Sequence, residues 1–229
     1  MEQETANNAI KLWEGVATKV ATPLFLKNEA IKTKHGGRMN RYSRILVVLL
    51  SALLLISFFT PIWSIQLEAP QYPEGLGMFI HINGMSGDLN IINQLNHYIG
   101  MKHIDPASFK ELVYMPYIIG SLMVIGIFSG IVGKRWLLYT FTILFIIIGI
   151  VGIVDFYLWE YDYGHNLIPG AAIKIPGMTY QPPLIGSKQL LNFNAISLPA
   201  TGGIAIFITG AGIVMLSIYE LINKKKQKI

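Results

Sequence analysis

The chain has 229 residues, of which 52% are hydrophobic and 14% charged, against about 25% charged in an ordinary soluble domain. Its mean hydropathy of +0.48, with the apolar residues gathered in blocks, points to a membrane protein rather than to one or two soluble domains. Cysteine is absent, which excludes disulfide staples, thiolate metal sites, CxxCH haem attachment and thiol catalysis together.

In chain order, residues 1–44 read as a cytoplasmic N-terminal segment. Ile10, Trp13, Val16, Ala17 and Val20 recur there at helical spacing beside Lys11 and Lys19. That pattern predicts an amphipathic helix on the inner leaflet, the alternative being a frayed tail. A bilayer core of about 30 Å needs roughly 20 apolar residues in a helix, and four segments qualify: 45–67, 112–133, 136–158 and 198–222. The first is read as a retained signal anchor in which Ile62-Trp63-Ser64-Ile65 continues the helix after Pro61. Lys134 and Arg135 alone separate the middle two, which predicts a tight helical hairpin.

Eight Lys and Arg precede the first span, two lie in the hairpin turn and four in the tail 223–229. The outer loops 68–111 and 159–197 hold only Lys102, Lys110, Lys174 and Lys188. Fourteen against four predicts that both termini are cytoplasmic. The basic pI of 9.3 is then topological, and no nucleic acid is needed to explain it. Trp63, Tyr114, Tyr117 and Trp159 are expected in an outer aromatic belt, and Tyr42, Trp136 and Tyr219 in an inner one. The predicted fold is an all-α membrane protein of four transmembrane helices with two structured extracytoplasmic loops.

The spans themselves carry little chemistry. No histidine falls within them, which argues against b-type haem. Asp155 sits near an outer end, where a carboxylate snorkels to the interface more readily than it relays protons. Gly126 and Gly130, with Gly149, Gly152, Gly210 and Gly212, permit close helix contact.

The outer loops carry more. Met78–Asn83 alternates as a strand, and Asn83-Gly84 is a turn signal. Asp88 is placed to cap a helix with the apolar face Ile91, Ile92, Leu95, Tyr98 and Ile99, ended by Gly100. Asp105-Pro106 predicts another helix running into the second span with a kink at Pro116. His97, Met101 and His103 bracket the intervening turn, and His81 or His165 could complete a site with them. Imidazole and thioether donors suit copper, although such side chains in a folded loop most often pack or hydrogen-bond. The second loop is rich in aromatics, and Trp159, Tyr161, Tyr163 and Tyr180 are candidates for docking a protein partner. No G-x-S-x-G elbow, H-E-x-x-H motif or phosphate-binding glycine loop is present, so the chain is expected to be non-catalytic.

Two stretches, Asn93-Gln-Leu-Asn-His-Tyr-Ile-Gly-Met101-Lys and Tyr157-Leu-Trp-Glu-Tyr-Asp-Tyr-Gly-His165-Asn, continue through Pro176-Gly-Met-Thr-Tyr-Gln-Pro-Pro183. In these the chain, over about residues 45–222, resembles the NosB family of small four-span proteins encoded beside clade II (Sec-dependent) nitrous oxide reductase. The resemblance implies a bacterial cytoplasmic-membrane protein with periplasmic loops. It implies an accessory or anchoring role for that copper enzyme, by docking it and assisting copper loading or electron entry. A transporter or permease subunit for a small solute is the competing expectation, and an electron-transfer subunit with its own haem a weaker third.

Overall fold

A computed structural model describes residues 37–173, 177 and 179–226; the amphipathic segment expected around Ile10–Val20 lies outside them. Helix α1 spans Arg41–Leu53 and runs on through a 3-10 turn to Phe58. Strands β1 (Trp63–Ala69), β2 (Tyr72–His81) and β3 (Gly84–Gly87) follow, then helix α2 (Leu89–Ile99). Helices α3 (Glu111–Val132) and α4 (Arg135–His165) form a hairpin, and the chain ends with β4 (Gly186–Leu190), β5 (Phe193–Pro199) and α5 (Thr201–Lys226). Four helical segments, Arg41–Phe58 and the helices α3, α4 and α5, are long and apolar enough to cross a membrane.

The all-α expectation is overturned. Both outer segments contribute to one five-stranded antiparallel sheet of order β3-β2-β1-β5-β4, so the protein is a mixed α/β molecule with a helical bundle and a sheet-bearing cap. The first span ends at Phe58, and Trp63 opens β1 rather than prolonging a helix. Pro61 supplies no amide donor for a continuing helix. Beyond it, Trp63, Ile65 and Leu67 alternate with Ser64, Gln66 and Glu68, the two-residue period of a strand with one buried face. Pairing sets Trp63 opposite Ile80, Ile65 opposite Met78 and Leu67 opposite Leu76. These six make the inner face of the cap, with Ala195 and Ser197 of β5 beside them.

In the first outer loop two expectations hold and two do not. The β2–β3 hairpin turns at Ile82-Asn83, and α2 stops where Gly100 adopts φ +79, a left-handed cap that costs glycine little. Asp88 holds the N-cap position of α2, but its carboxylate accepts from the Gly77 amide at 2.9 Å instead. Asp105 does cap Pro106–Ser108, yet only as one 3-10 turn. Phe109 returns to extended backbone before α3 begins.

Inside the bundle, Gly126 lies where a Cβ would collide with Ser51 and Phe141, and Gly130 packs on Val48 and the Arg44 carbonyl. Small residues of α3 thus seat it against α1 and α4. Buried hydroxyls of the bundle bond within a helix (Ser51 to Val47, Thr142 to Leu138, Thr209 to Ala205) and between helices (Thr209 to Leu50, Thr142 with Ser217), while those of Ser129 and Tyr139 have no partner among the described residues. Of the residues expected in aromatic belts, Tyr42, Tyr114, Tyr117, Trp136 and Tyr219 are exposed. Trp63 and Trp159 instead belong to the cap core, because the chain leaves the helix before Trp63 and continues helical past Trp159.

The end opposite the cap is latched. The Met39 amide donates to the Gly133 carbonyl and the Arg135 amide to the Gly37 carbonyl. Glu220 accepts from the Asn40 amide at 2.9 Å and from Arg135 Nε at 2.8 Å. The lone acid of the fourth span is therefore the anchor of this latch. Reporters fused after Lys226 or in the Lys134-Arg135 turn are expected on the cytoplasmic side, and reporters at Gly87 or Gly170 on the other. Finding Gly87 and the turn on one side would overturn the four-span arrangement.

Candidate functional site

Helix α4 has 31 residues, about 46 Å at 1.5 Å per residue, whereas a hydrocarbon core is about 30 Å thick. It is thus longer than a span requires, and its last turns form a wall of the cap. Phe156, Trp159 and Tyr163 fall on one face of that extension, packed with Trp63 and Phe109. Ring centroids lie 5.2 Å apart for Trp63–Phe156, 5.5 Å for Phe109–Trp159 and 5.0 Å for Trp159–Tyr163. Such edge and tilted pairs add to plain burial.

Between this wall, α2 and the inner face of the sheet lies a cavity of about 230 Å³. Ile65, Leu67 and Met78 of the sheet, Ile92 and Leu95 of α2, and Trp159 and Tyr163 of α4 line it. Ile173 and Tyr180, from the segment after α4, also line it. The Ile168 amide donates to the Gly100 carbonyl, the Ile173 amide to the Tyr98 carbonyl and the Tyr180 amide to the Gly164 carbonyl. Gly164 permits that last approach, since Gln181 occupies the place a Cβ would take.

One acid faces this apolar space. Glu160 is fully buried, lines the cavity, and has no hydrogen-bond partner among the described residues at either carboxyl oxygen. The Tyr180 hydroxyl and the Asn96 amide nitrogen line the same cavity, are buried, and are likewise without partners. Buried polar groups are satisfied in the large majority of cases, so this concentration around one cavity marks a binding-type site. The neighbouring acid behaves differently: Asp162 pairs with Lys102 at 2.6 Å on the partly exposed surface and accepts from Asn166.

Each predicted metal ligand has a local contact of its own. His81 Nε2 bonds Ser86 Oγ at 2.9 Å, and His165 Nδ1 approaches the Tyr161 carbonyl at 3.0 Å while stacking on its ring. His97 is exposed beside Tyr98. His103 approaches Asn93 at 3.4 Å, and Met101 packs against the cap core and lines the cavity. The turn itself is pinned by Asn93, whose amide group exchanges hydrogen bonds of 2.7 and 2.9 Å with the Ile104 backbone. Among the described residues no three His, Asp or Glu side chains gather as for a metal ion, so this geometry lends the copper reading no support.

The predicted docking aromatics divide. Trp159, Tyr163 and Tyr180 face inward onto the cavity, whereas Tyr161 is 45% exposed. Tyr157, Tyr161 and His165 form a ladder along the outward face of α4, with centroids 6.3 Å and 3.9 Å apart. The sequence reading missed Glu160 because it ended the third span at Leu158. Continued helical periodicity would have set Glu160 beside Trp159, Tyr163 and Gly164 on the inward face. Compared with known proteins, the chain matches no protein-family model and no curated protein.

Proposed function

We propose that this protein is a non-catalytic membrane accessory or anchoring protein whose working part is the cap. The observation that carries this reading is the division of labour between the two halves. The bundle core is largely apolar and most of its buried hydroxyls are bonded within or between helices, while among the described residues five of the seven buried side-chain atoms without a partner lie in the cap. A solute carrier instead needs polar or ionisable groups facing one another at mid-membrane. The resemblance of residues 93–102 and 157–183 to the NosB family supplies the partner for this proposal, an extracytoplasmic nitrous oxide reductase.

The Tyr157–Tyr161–His165 ladder is the face we assign to that partner, since rigid exposed aromatics are frequent interface anchors. A photo-crosslinker at position 161 is expected to capture the reductase in membranes, and one at the exposed, bundle-borne Tyr117 to capture none. Tyr161→Ala should weaken co-purification about tenfold, roughly 1.4 kcal/mol, without changing the thermal transition. Capture from both positions or from neither would overturn the docking role. Solute uptake into liposomes holding this chain alone would favour the permease reading.

A further inference from the structure

The cap cavity has a chemistry that docking does not use. Among the described residues its lining includes one carboxyl group, Glu160, and no lysine, arginine or histidine. Lys102, a basic residue close in sequence to that lining, is committed to Asp162 on the surface. The fold therefore buries an acid, sets no cation beside it among the described residues, and surrounds it with aromatic rings, among them Trp159, Tyr163 and Tyr180. A buried carboxylate is costly unless paired, and aromatic faces add attraction for a desolvated cation. A metal ion would require several oxygen or nitrogen ligands, which a lone carboxylate does not supply.

We propose that the cavity binds a small hydrophobic monoamine, its ammonium group seated on Glu160 and its apolar body between the aromatic wall of α4 and the sheet. Size follows from volume. With about 30 Å³ per water-sized group, 230 Å³ holds a ligand of about eight non-hydrogen atoms. The ammonium donates to the two free oxygens of Glu160. A second polar atom on the ligand would meet the Asn96 amide nitrogen and the Tyr180 hydroxyl, both unpartnered in the same space. The apolar lining from Ile65, Met78 and Leu95 selects against strongly hydrated amines such as ammonium itself.

Benzylamine and benzyl alcohol differ only in the group offered to Glu160, and both match the volume. Titrated calorimetrically into the full chain in detergent, benzylamine is expected to bind saturably at one site. Benzyl alcohol should bind at least about tenfold more weakly. Glu160→Gln should weaken benzylamine by a similar factor and abolish the preference over the alcohol. Leu95→Trp, which fills the space but keeps the acid, should remove binding of both. Absence of saturable benzylamine binding to the unmodified chain would overturn the proposal. So would equal binding of the alcohol, or undiminished amine binding by a folded Glu160→Gln or Leu95→Trp variant. The unmodified chain decides the question alone if a variant fails to fold.

Discussion

Arg135→Met is expected to destabilise the protein by about 3–5 kcal/mol, the cost of leaving one partner of a buried ion pair alone. The Arg135 and Glu220 side chains are 6% and 0% exposed, with Nε and Oε2 2.8 Å apart. Without the guanidinium, the Glu220 carboxylate keeps only weaker donors such as the Asn40 amide in a site closed to water. Glu220→Leu should also destabilise, because it removes the carboxylate that accepts from Arg135 Nε and the Asn40 amide. The double variant Arg135→Met/Glu220→Leu removes both charges, and paired apolar replacement of a buried ion pair is often neutral. It still orphans the Asn40 amide, a loss of about 1–3 kcal/mol, so it should fall between the parent and either single variant. Thermal unfolding of the four proteins in one detergent measures this directly. Additive losses in the double variant would mean that the pair does not couple the two helices.

The latch also shows why a charge inside an otherwise apolar span is informative. Glu220 was visible in the sequence as the lone acid of the fourth span, and Arg135 as part of a basic turn. Nothing local joins two residues 85 positions apart; only the antiparallel arrangement of α4 and α5 brings the start of one beside the end of the other. Hydropathy likewise located the bundle. The membrane crossings were legible because their apolar runs are long, and the β2–β3–α2 unit was legible through Asn83-Gly84 and Gly100.

The sheet was obscured for a physical reason. A hydropathy window averages over the two-residue period, so Trp63-Ser-Ile-Gln-Leu-Glu-Ala merged with the end of an apolar helix. The β4–β5 hairpin carried even less signal. Its turn has Leu191 at φ +57, a left-handed conformation that bulky residues rarely adopt, where Asn-Gly would have announced a hairpin. Glu160 was lost with the same boundary error. A helix drawn to bilayer length stops near Leu158, whereas α4 continues to His165 because its inward face finds Phe109 and the sheet to pack against.

Glu160→Leu is expected to stabilise the cap by about 1–3 kcal/mol, the desolvation cost recovered when an unsatisfied buried polar group is removed. Leucine is close to glutamate in volume, so neither a new cavity nor overpacking offsets the gain. For a chain of this size each kcal/mol moves the thermal midpoint by roughly 2–4 °C, well within measurement. The sign separates two accounts of the residue. If Glu160 is a structural element of the cap, its loss lowers the midpoint as the loss of Arg135 does. If it is held in the cavity for a ligand, the unliganded protein carries it at a cost, the common pattern at binding sites, where stability is given up for function. Asp162→Leu on the next turn surface is the control: it breaks the exposed Lys102 pair, and surface pairs contribute only about 0–1 kcal/mol. A rise for Glu160→Leu beside little change for Asp162→Leu would make Glu160 a functional residue on stability grounds alone, independently of any ligand titration.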